Sequence, residues 1–192
     1  MMDLFGTPLL PGLATAADLF NAEEEAALIA AIDGTDLTPF RFQGWEGKRL
    51  TFSYGWNYDF DTQQVARAQP IPEWLLPVRA RIAAFAGLDA DTLIQVLLIR
   101  YDPGAGIGWH RDRPIYEHVV GLSLGAPATM RFRRRRPGGG FDRRTVPLDP
   151  RGAYHLCGES RYEWEHSIAE MDRPRWSLTF RSPSDRWQLP LD

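Results

Sequence analysis

The sequence predicts a mainly β fold with flanking helices, because helical periodicity is confined to the first half of the chain and strand-like runs fill the second. From Leu93 onward, β-rich runs separated by Pro, Gly and Asp recur about every 8–12 residues. No helical pattern interrupts them, which is typical of an antiparallel sandwich or barrel. At 192 residues the chain can form one domain with a sizeable core, and we expect a single domain over 1–192.

Two helices are predicted before these strands. The first begins at Asn21, whose side chain can cap the helix together with Glu24, and Gly34 can end it near residue 33. The second is expected over 73–86, with Gly87 as its stop. The apolar residues that share one face in the two helices are Leu28, Ile29 and Ile32, then Trp74, Leu75, Val78, Ile82 and Phe85.

The strand pattern is dense in the second half of the chain. Strands are expected at 94–101, 107–111, 119–125, 128–135, 144–148, 152–157, 164–168 and 175–181. An earlier pair around Phe40–Trp45 and Arg49–Tyr54 is expected to extend one sheet. The glycine-rich segment 137–140 is interpreted as a hairpin tip rather than a domain boundary.

Composition excludes several classes of protein. A net charge of −3 and a pI near 5.8 argue against a protein that coats nucleic acid electrostatically. Residues 1–12 lack the basic start of a signal peptide, and no stretch approaches the ~20 apolar residues of a membrane span. We therefore expect a cytoplasmic protein without a membrane partner. The single cysteine, Cys157, excludes an internal disulfide and is expected to be a small buried strand residue.

Seven arginines lie between Arg131 and Arg144. They would form a phosphate-attracting surface if the hairpin tip is exposed, or simply a solvated hairpin. Because the chain has one lysine against 21 arginines, part of the cluster reflects composition alone. Both interpretations stay open, and the candidate contacts to a nucleic-acid backbone are Arg133, Arg134, Arg135 and Arg136.

A possible metal site combines His110, Asp112 and His166. Strand residues two apart point to the same face, so His110 and Asp112 could reach one ion while Arg111 points away. The His-x-Asp spacing is common by chance and needs a third ligand, for which His166 in a later strand is the best candidate. Two histidines and one carboxylate suit non-haem Fe(II) and leave coordination positions open. His118 and His155 are interpreted as ordinary hydrogen-bonded core histidines.

Five short motifs place this triad in context. They are Arg-Tyr-Asp-Pro-Gly at 100–104, Ile107 with the His-x-Asp pair, Gly-Leu-Ser-Leu-Gly at 121–125, Gly-Glu-Ser-Arg-Tyr at 158–162 before His166, and Arg-Trp-Ser-Leu-Thr-Phe-Arg at 175–181. In order and spacing they resemble the AlkB family of Fe(II)- and 2-oxoglutarate-dependent dioxygenases. The resemblance is close over 94–182, a catalytic core, and loose over 40–60, the place of the family's nucleotide-recognition lid.

The resemblance implies a double-stranded β-helix, a cupin-like jelly roll with the N-terminal helices packed on one sheet. It also implies Fe(II) on His110, Asp112 and His166, with 2-oxoglutarate and O2 as cosubstrates. Arg175 would pair with the far carboxylate of 2-oxoglutarate, where a guanidinium offers two parallel hydrogen bonds. Arg181 would lie near the iron-bound carboxylate, and Tyr101 would donate to the same carboxylate as Arg175.

Two positions depart from the family pattern. The family often has Asn at the positions of Ile99 and Ser177, so cosubstrate contacts there are in question, although the Ser177 hydroxyl could still donate one hydrogen bond. For substrate binding, the lid offers Arg49 and three alternating aromatics, Tyr54, Trp56 and Tyr58. On a strand these aromatics would share one face, either to grip a flipped base or to pack on the Trp74 helix. Arg161 and Glu165 could read base edges or form surface ion pairs.

The resemblance implies a dioxygenase that oxidatively removes alkyl or etheno lesions from bases of DNA or RNA. The sequence does not determine the oligomeric state, for which a monomer is the favoured expectation. Hydroxylation or demethylation of tRNA is the second hypothesis, because Gly-Glu-Ser-Arg-Tyr and the lid also resemble the tRNA-modifying AlkB homologues. Protein hydroxylation or demethylation is a third. A non-catalytic cupin-like binding module is a fourth, although a pure binder has no use for an open triad together with Arg175 and Arg181.

Overall fold

The computed structural model describes residues 10–42, 44–58 and 65–185. The helices are α1 (Ala22–Asp33), α2 (Leu76–Ala86) and α3 (Gly158–Tyr162), with 3₁₀ turns at Glu73–Leu75 and Ala90–Thr92. The strands are β1 (Leu13–Ala16), β2 (Thr38–Phe42), β3 (Trp45–Tyr54), β4 (Trp56–Tyr58), β5 (Val65–Arg67), β6 (Gln95–Tyr101), β7 (Ile107–His110), β8 (Tyr116–Gly125), β9 (Ala128–Arg135), β10 (Phe141–Leu148), β11 (Ala153–Leu156), β12 (Glu165–Ile168) and β13 (Arg175–Pro183).

Two antiparallel sheets carry the fold. The larger has the strand order β1-β11-β8-β13-β6-β3-β2, and the smaller has the order β10-β9-β12-β7. A separate two-stranded pair joins β4 to β5. Consecutive strands such as β6 and β7 lie in different sheets, so each sheet includes strands that are far apart in the sequence. Side chains from distant parts of the chain therefore face each other across the space between the sheets.

The core has two parts, one on each side of the larger sheet. The first fills the space between the sheets and includes Tyr101, Val119 and Tyr154 from the larger sheet and Met130 and Phe132 from the smaller. The second lies between the outer face of the larger sheet and α1 and α2, with Ile32, Ile82, Leu98, Leu122 and Phe180 among its members. None of the helices in the described ranges is long and apolar enough to cross a bilayer.

Both predicted helices are present. Asn21 and Glu24 form a reciprocal capping box, with hydrogen bonds of 2.8 and 2.9 Å, and α1 ends at Asp33 as predicted. The second helix is α-helical only from Leu76, and its first residues form a 3₁₀ turn. The reason is Pro77, which has no N–H to bond to the residue four positions earlier, so the first turn closes through Leu76 instead.

The predicted strands agree with the structure to within a few residues at their ends. Three features were not predicted: β1 at the edge of the larger sheet, the β4–β5 pair, and the short helix α3. The expectation for Cys157 was partly wrong, because this residue is half-buried and lies one position beyond β11. It is the N-cap residue of α3, whose first helical residue is Gly158.

Candidate active site

A cavity of about 1150 Å³ opens between the two sheets. Strands of both sheets contribute to its wall, because the inward side chains of β6, β7, β12 and β13 converge there. The predicted site residues that line it are Arg49, Tyr101, His110, Asp112, Arg161, His166, Arg175, Ser177 and Arg181. Residues far apart in sequence thus share one concave surface, which is the usual form of a ligand site.

The three predicted metal ligands lie together in this cavity. His110 ends β7 and His166 lies directly opposite it on β12, with ring centroids 4.3 Å apart. Asp112 follows two residues beyond the end of β7, and its Oδ2 is 3.6 Å from Nε2 of His166. One ligand atom from each residue lies within 4.8 Å of the others, so the three side chains could hold one ion.

The protonation states favour metal binding. Nδ1 of His110 lies 2.9 Å from the Gly108 carbonyl oxygen, which can only accept, so Nδ1 carries the proton and Nε2 keeps its lone pair. Burial and the neighbouring His110 lower the pKa of His166 to about 3, which keeps that ring neutral. Burial alone would raise the pKa of Asp112, but Arg181 and the two rings outweigh it and hold that pKa well below its ordinary value.

Arg181 positions the carboxylate. Its Nη2 donates a hydrogen bond to Oδ1 of Asp112 at 3.0 Å, and its Nη1 donates to Oε1 of Gln95 at 3.0 Å. Oδ2 of Asp112 therefore faces the histidines while Oδ1 is held by the guanidinium. Gln95, the first residue of β6, is a partner that the motif pattern did not reveal.

Arg175 offers a buried cationic donor to the cavity. The side chain is 1% exposed, its Nε donates to Oγ of Ser123 at 3.1 Å, and its Cζ lies 5.1 Å from the centre of the Tyr101 ring. No acceptor within the described ranges reaches its Nη1. A buried guanidinium donor without a partner is costly, so this arrangement fits a carboxylate-bearing ligand such as 2-oxoglutarate.

The two departures from the family pattern form a single local feature. Ile99 of β6 and Ser177 of β13 are direct cross-strand partners, and both line the cavity. One wall of the pocket is therefore more apolar at Ile99, while the hydroxyl of Ser177 is buried at 2% exposure beside it. Sequence alone showed two separate changes, and the register shows that they are adjacent.

The Gly-Leu-Ser-Leu-Gly motif acquires a structural explanation. Ser123 holds Arg175, as described above, and Gly121 makes room for Tyr154 of the neighbouring strand. A Cβ at position 121 would lie 2.2 Å from the Tyr154 ring. Tyr154 lines the cavity, and burial raises the pKa of its hydroxyl to about 12, so it stays protonated and can donate a hydrogen bond there. Neither role was predicted.

The shared aromatic face predicted for the lid is wrong for Tyr54 and Trp56, although Tyr54 does pack in the core beside Trp74, which was the alternative interpretation. Gly55 adopts a φ of +79° between β3 and β4, which breaks the alternation. Tyr54 is consequently 8% exposed in the core beneath α2, whereas Trp56 packs against the core between the sheets. Neither lines the cavity, and the side chain of Tyr58 lies outside the part of the chain that the structure describes.

Of the other three predicted substrate contacts, two line the cavity and one does not. Arg49 lines the cavity with its guanidinium 3.8 Å from the centre of the Phe40 ring. Arg161 also lines the cavity, but its Nη2 donates to the carbonyls of Arg113 and Tyr116, so it braces the loop that carries Asp112. Glu165 is not in the cavity, because it precedes His166 on β12 and points to the opposite face, where it binds Arg133 at 2.6 Å.

The arginine hairpin is more neutralised than its sequence indicates. Glu165 forms an ion pair with Arg133. Arg134 forms ion pairs with Asp142, Glu159 and Glu163, and Asp142 also pairs with Arg136. Arg135 is exposed and has no acidic partner among the described residues. The four candidate residues are therefore not equivalent as phosphate contacts.

An antiparallel jelly roll that brings two histidines and one aspartate into a cavity with a buried arginine defines the class of non-haem iron oxygenases. A family model described as the 2OG-Fe(II) oxygenase superfamily matches residues 33–183, and the chain belongs to that family. It is an AlkB-like dioxygenase, and Fe(II), 2-oxoglutarate and O2 are the cofactors of this family, as predicted.

Similar proteins support this placement. The chain is 28% identical over 184 residues to the "Alkylated DNA repair protein ALKBH8 homolog" of Arabidopsis thaliana, covering 83% of this chain and 51% of that protein. It is 29% identical over 171 residues to "tRNA (carboxymethyluridine(34)-5-O)-methyltransferase alkbh8" of Xenopus tropicalis, covering 86% and 26%. The chain thus spans between a quarter and about half of these relatives.

A solved structure shares the fold. The structure of OsALKBH1 superposes with a TM-score of 0.70 at 16% identity, covering 92% of this chain and 99% of the other. The jelly-roll prediction is confirmed, with the N-terminal helices on the outer face of the larger sheet.

Proposed function

We propose that this chain oxidises an alkyl or etheno group on a nucleobase of DNA or RNA, with iron on His110, Asp112 and His166 and 2-oxoglutarate on Arg175. The observation that carries this proposal is the unpartnered Nη1 of Arg175, in the same cavity as the three converging ligand atoms. A pure binding module would have no reason to keep a buried, unsatisfied guanidinium beside an open triad.

Bound Fe(II), with 2-oxoglutarate and O2, would hydroxylate a C–H bond while 2-oxoglutarate loses carbon dioxide and becomes succinate. A hydroxylated alkyl group on a base nitrogen then breaks down to an aldehyde and the restored base. The protein's part is to fix geometry. Arg181 holds one oxygen of Asp112, Ser123 orients Arg175, and Ile99 makes part of the cavity wall apolar.

The cavity rim supports a flat, unpaired base as substrate. Tyr162 is 38% exposed and lines the cavity, and Trp109 and the Arg49–Phe40 stack offer further flat surfaces. Enzymes that act on bases extrude them and hold them between such groups. A volume of about 1150 Å³ leaves room for a base beside the cosubstrate.

An oligonucleotide panel tests this function. Single- and double-stranded DNA and RNA carrying 1-methyladenine or ethenoadenine are incubated with the Fe(II)-loaded protein, and mass spectrometry measures the bases. We expect repaired base and succinate in equal amounts. Tyr162→Ala should lower base repair, whereas Leu76→Ala, which truncates an equally exposed apolar side chain outside the cavity, should not. Succinate without any base product would reject nucleobases as substrates but not the oxygenase activity.

Modification of tRNA is the second candidate. Its support is that the Xenopus tropicalis relative is named for a tRNA nucleoside. Including tRNA in the same panel separates the two functions, because modification would leave an added hydroxyl group or a demethylated nucleoside on tRNA and no repair of alkylated oligonucleotides.

An outward face of the smaller sheet can bind the phosphate backbone. We call it the outer arginine surface and define it by Arg131, Arg133, Arg135 and Arg143. These side chains lie over Trp109 and Phe141, with Arg133 at 4.5 Å from the centre of the Trp109 ring. Because Trp109 also lines the cavity, this surface is continuous with the cavity rim.

We expect the double variant Arg135→Ser/Arg143→Ser to weaken nucleic-acid binding. The slope of log K, where K is the binding constant, against the logarithm of the salt concentration should become less steep. The change is about 0.7 for each phosphate of a single strand that the substituted arginines no longer neutralise. Fluorescence anisotropy over a range of salt concentrations measures the slope. The matched control is Arg134→Ser/Arg136→Ser, which removes the same charge from residues already paired with acids. An equal slope change in both variants would show that only net charge matters.

A further inference from the structure

A second group of metal-ligating side chains lies outside the cavity. His118 belongs to β8, His155 belongs to β11, and Cys157 follows the end of β11. Nδ1 of His118 is 2.9 Å from Nε2 of His155, and one ligand atom from each of the three residues lies within 4.8 Å of the others. The sequence pattern indicates only ordinary core histidines at these positions, and the pairing of two distant strands brings them together.

The strand register places all three on one side of the larger sheet. β8 and β11 are antiparallel, with His155 opposite Val120 and Leu156 opposite Val119. Continued by one residue, this register puts Cys157 opposite His118, and His155 is the diagonal neighbour on the same face. Val120 packs in the helix-side core and Val119 in the core between the sheets. The sheet therefore separates this group from His110, Asp112 and His166.

We propose that His118, His155 and Cys157 bind a Zn²⁺-class divalent ion. Two imidazole nitrogens and one thiolate form a donor set that borderline-soft ions prefer, and three protein ligands leave a fourth position for water. The two strands hold the histidines rigidly, so little conformational entropy is lost on binding. If the two rings only formed a hydrogen bond with each other, no third metal-ligating atom would be needed beside them. The sulfur of Cys157 nevertheless lies within 4.8 Å of the ligand atoms of both histidines.

Binding requires the thiol to release its proton. Burial and the nearby Glu117 carboxylate raise the pKa of Cys157, so the positive charge of the bound ion must drive that release. The Cys157 thiol donates a hydrogen bond to the carbonyl oxygen of Gly12, with Sγ 3.4 Å from that oxygen. A thiolate has no proton to donate, so this bond would be lost on ionisation. This carbonyl also accepts hydrogen bonds from the backbone N–H of Cys157 at 2.9 Å and from Oγ of Ser160 at 2.8 Å. It therefore stays satisfied when the thiol ionises. A bound ion would link β8 to β11, and through Gly12 to the segment before β1.

Cobalt tests the site directly, because Cys157 is the chain's single cysteine. Co²⁺ is titrated into the full chain carrying Asp112→Asn, which disables the proposed iron site. We expect a sulfur-to-cobalt charge-transfer band that saturates at one equivalent, since no other thiolate is present. The proposed iron ligands contain no sulfur, so cobalt bound there cannot produce this band. Zn²⁺ should displace the cobalt and raise the melting temperature of the same protein.

Three variants decide the assignment. Cys157→Ser should abolish the band, and His118→Gln and His155→Gln should each weaken cobalt binding at least tenfold while keeping a hydrogen-bonding side chain. Circular dichroism checks that each variant is folded. Absence of the band in the parent protein, or a band unchanged in both histidine variants, would overturn the proposal. A band that appears only at high protein concentration would also overturn it, because the ion would then bridge two chains.

Discussion

Replacing Asp112 with asparagine is expected to reduce succinate formation by more than about 100-fold, because changes to residues that merely support a metal ligand already cost about 10–100-fold. The variant removes the only anionic ligand of the proposed iron site. Asparagine keeps an oxygen that can accept the hydrogen bond from Arg181. With alanine instead, the buried Arg181 would lose the hydrogen-bond acceptor as well as the negative charge of its partner, at a cost of about 3–5 kcal/mol in stability.

The measurement is succinate released by protein loaded with Fe(II) under anaerobic conditions and then exposed to O2. Asp149→Asn is the matched control, because it removes an exposed carboxylate in the turn between β10 and β11, and its activity should equal that of the parent. Parent-level succinate from the Asp112 variant, with its iron content unchanged, would contradict the proposed metal site.

Replacing Arg175 with lysine is expected to raise the KM for 2-oxoglutarate by about 10- to 150-fold with a smaller change in kcat. This factor corresponds to the loss of one charge-assisted hydrogen bond of about 1.5–3 kcal/mol. Lysine keeps the positive charge but loses the planar fork, and with it the bond from Nε to Ser123. The effect on KM follows because Arg175 would hold the cosubstrate without touching the C–H bond that reacts.

Two comparisons make this prediction specific. Arg173→Lys changes an exposed arginine on the approach to the same strand and should leave the KM unchanged. In the parent protein, 2-oxobutyrate, which lacks the far carboxylate, should be a much poorer cosubstrate than 2-oxoglutarate. In Arg175→Lys the difference between the two acids should narrow. If the preference for 2-oxoglutarate is undiminished in the variant, another residue binds that carboxylate.

Much of the architecture could be predicted because local patterns dominate it. The capping box at Asn21 and the apolar spacing of α2 are encoded within a few residues, and the β-rich texture after Leu93 is encoded in the same way. The motifs that contain His110 and His166 could be found for the same reason, since each is a short string in a fixed order. These predictions needed no knowledge of which strands pair.

The errors arose where a side chain's direction depends on a partner distant in sequence. For Glu165 the sequence left two interpretations open, a contact to a base edge or a surface ion pair, and only strand alternation, which turns it outward to Arg133, decides for the ion pair. Tyr54 and Trp56 were expected on one face, yet the positive φ of Gly55 sends them into different cores. Neither outcome could be derived from residue spacing alone.

By itself, the sequence determined the class of fold, the order of the strands along the chain and the family motifs, because each depends on residues close together in the chain. Only the tertiary structure decided that Ser123 orients Arg175, that Ile99 faces Ser177, and that His118, His155 and Cys157 meet. The physical reason is the register between strands. A shift of one residue would turn every side chain to the opposite face, and long-range packing sets that register.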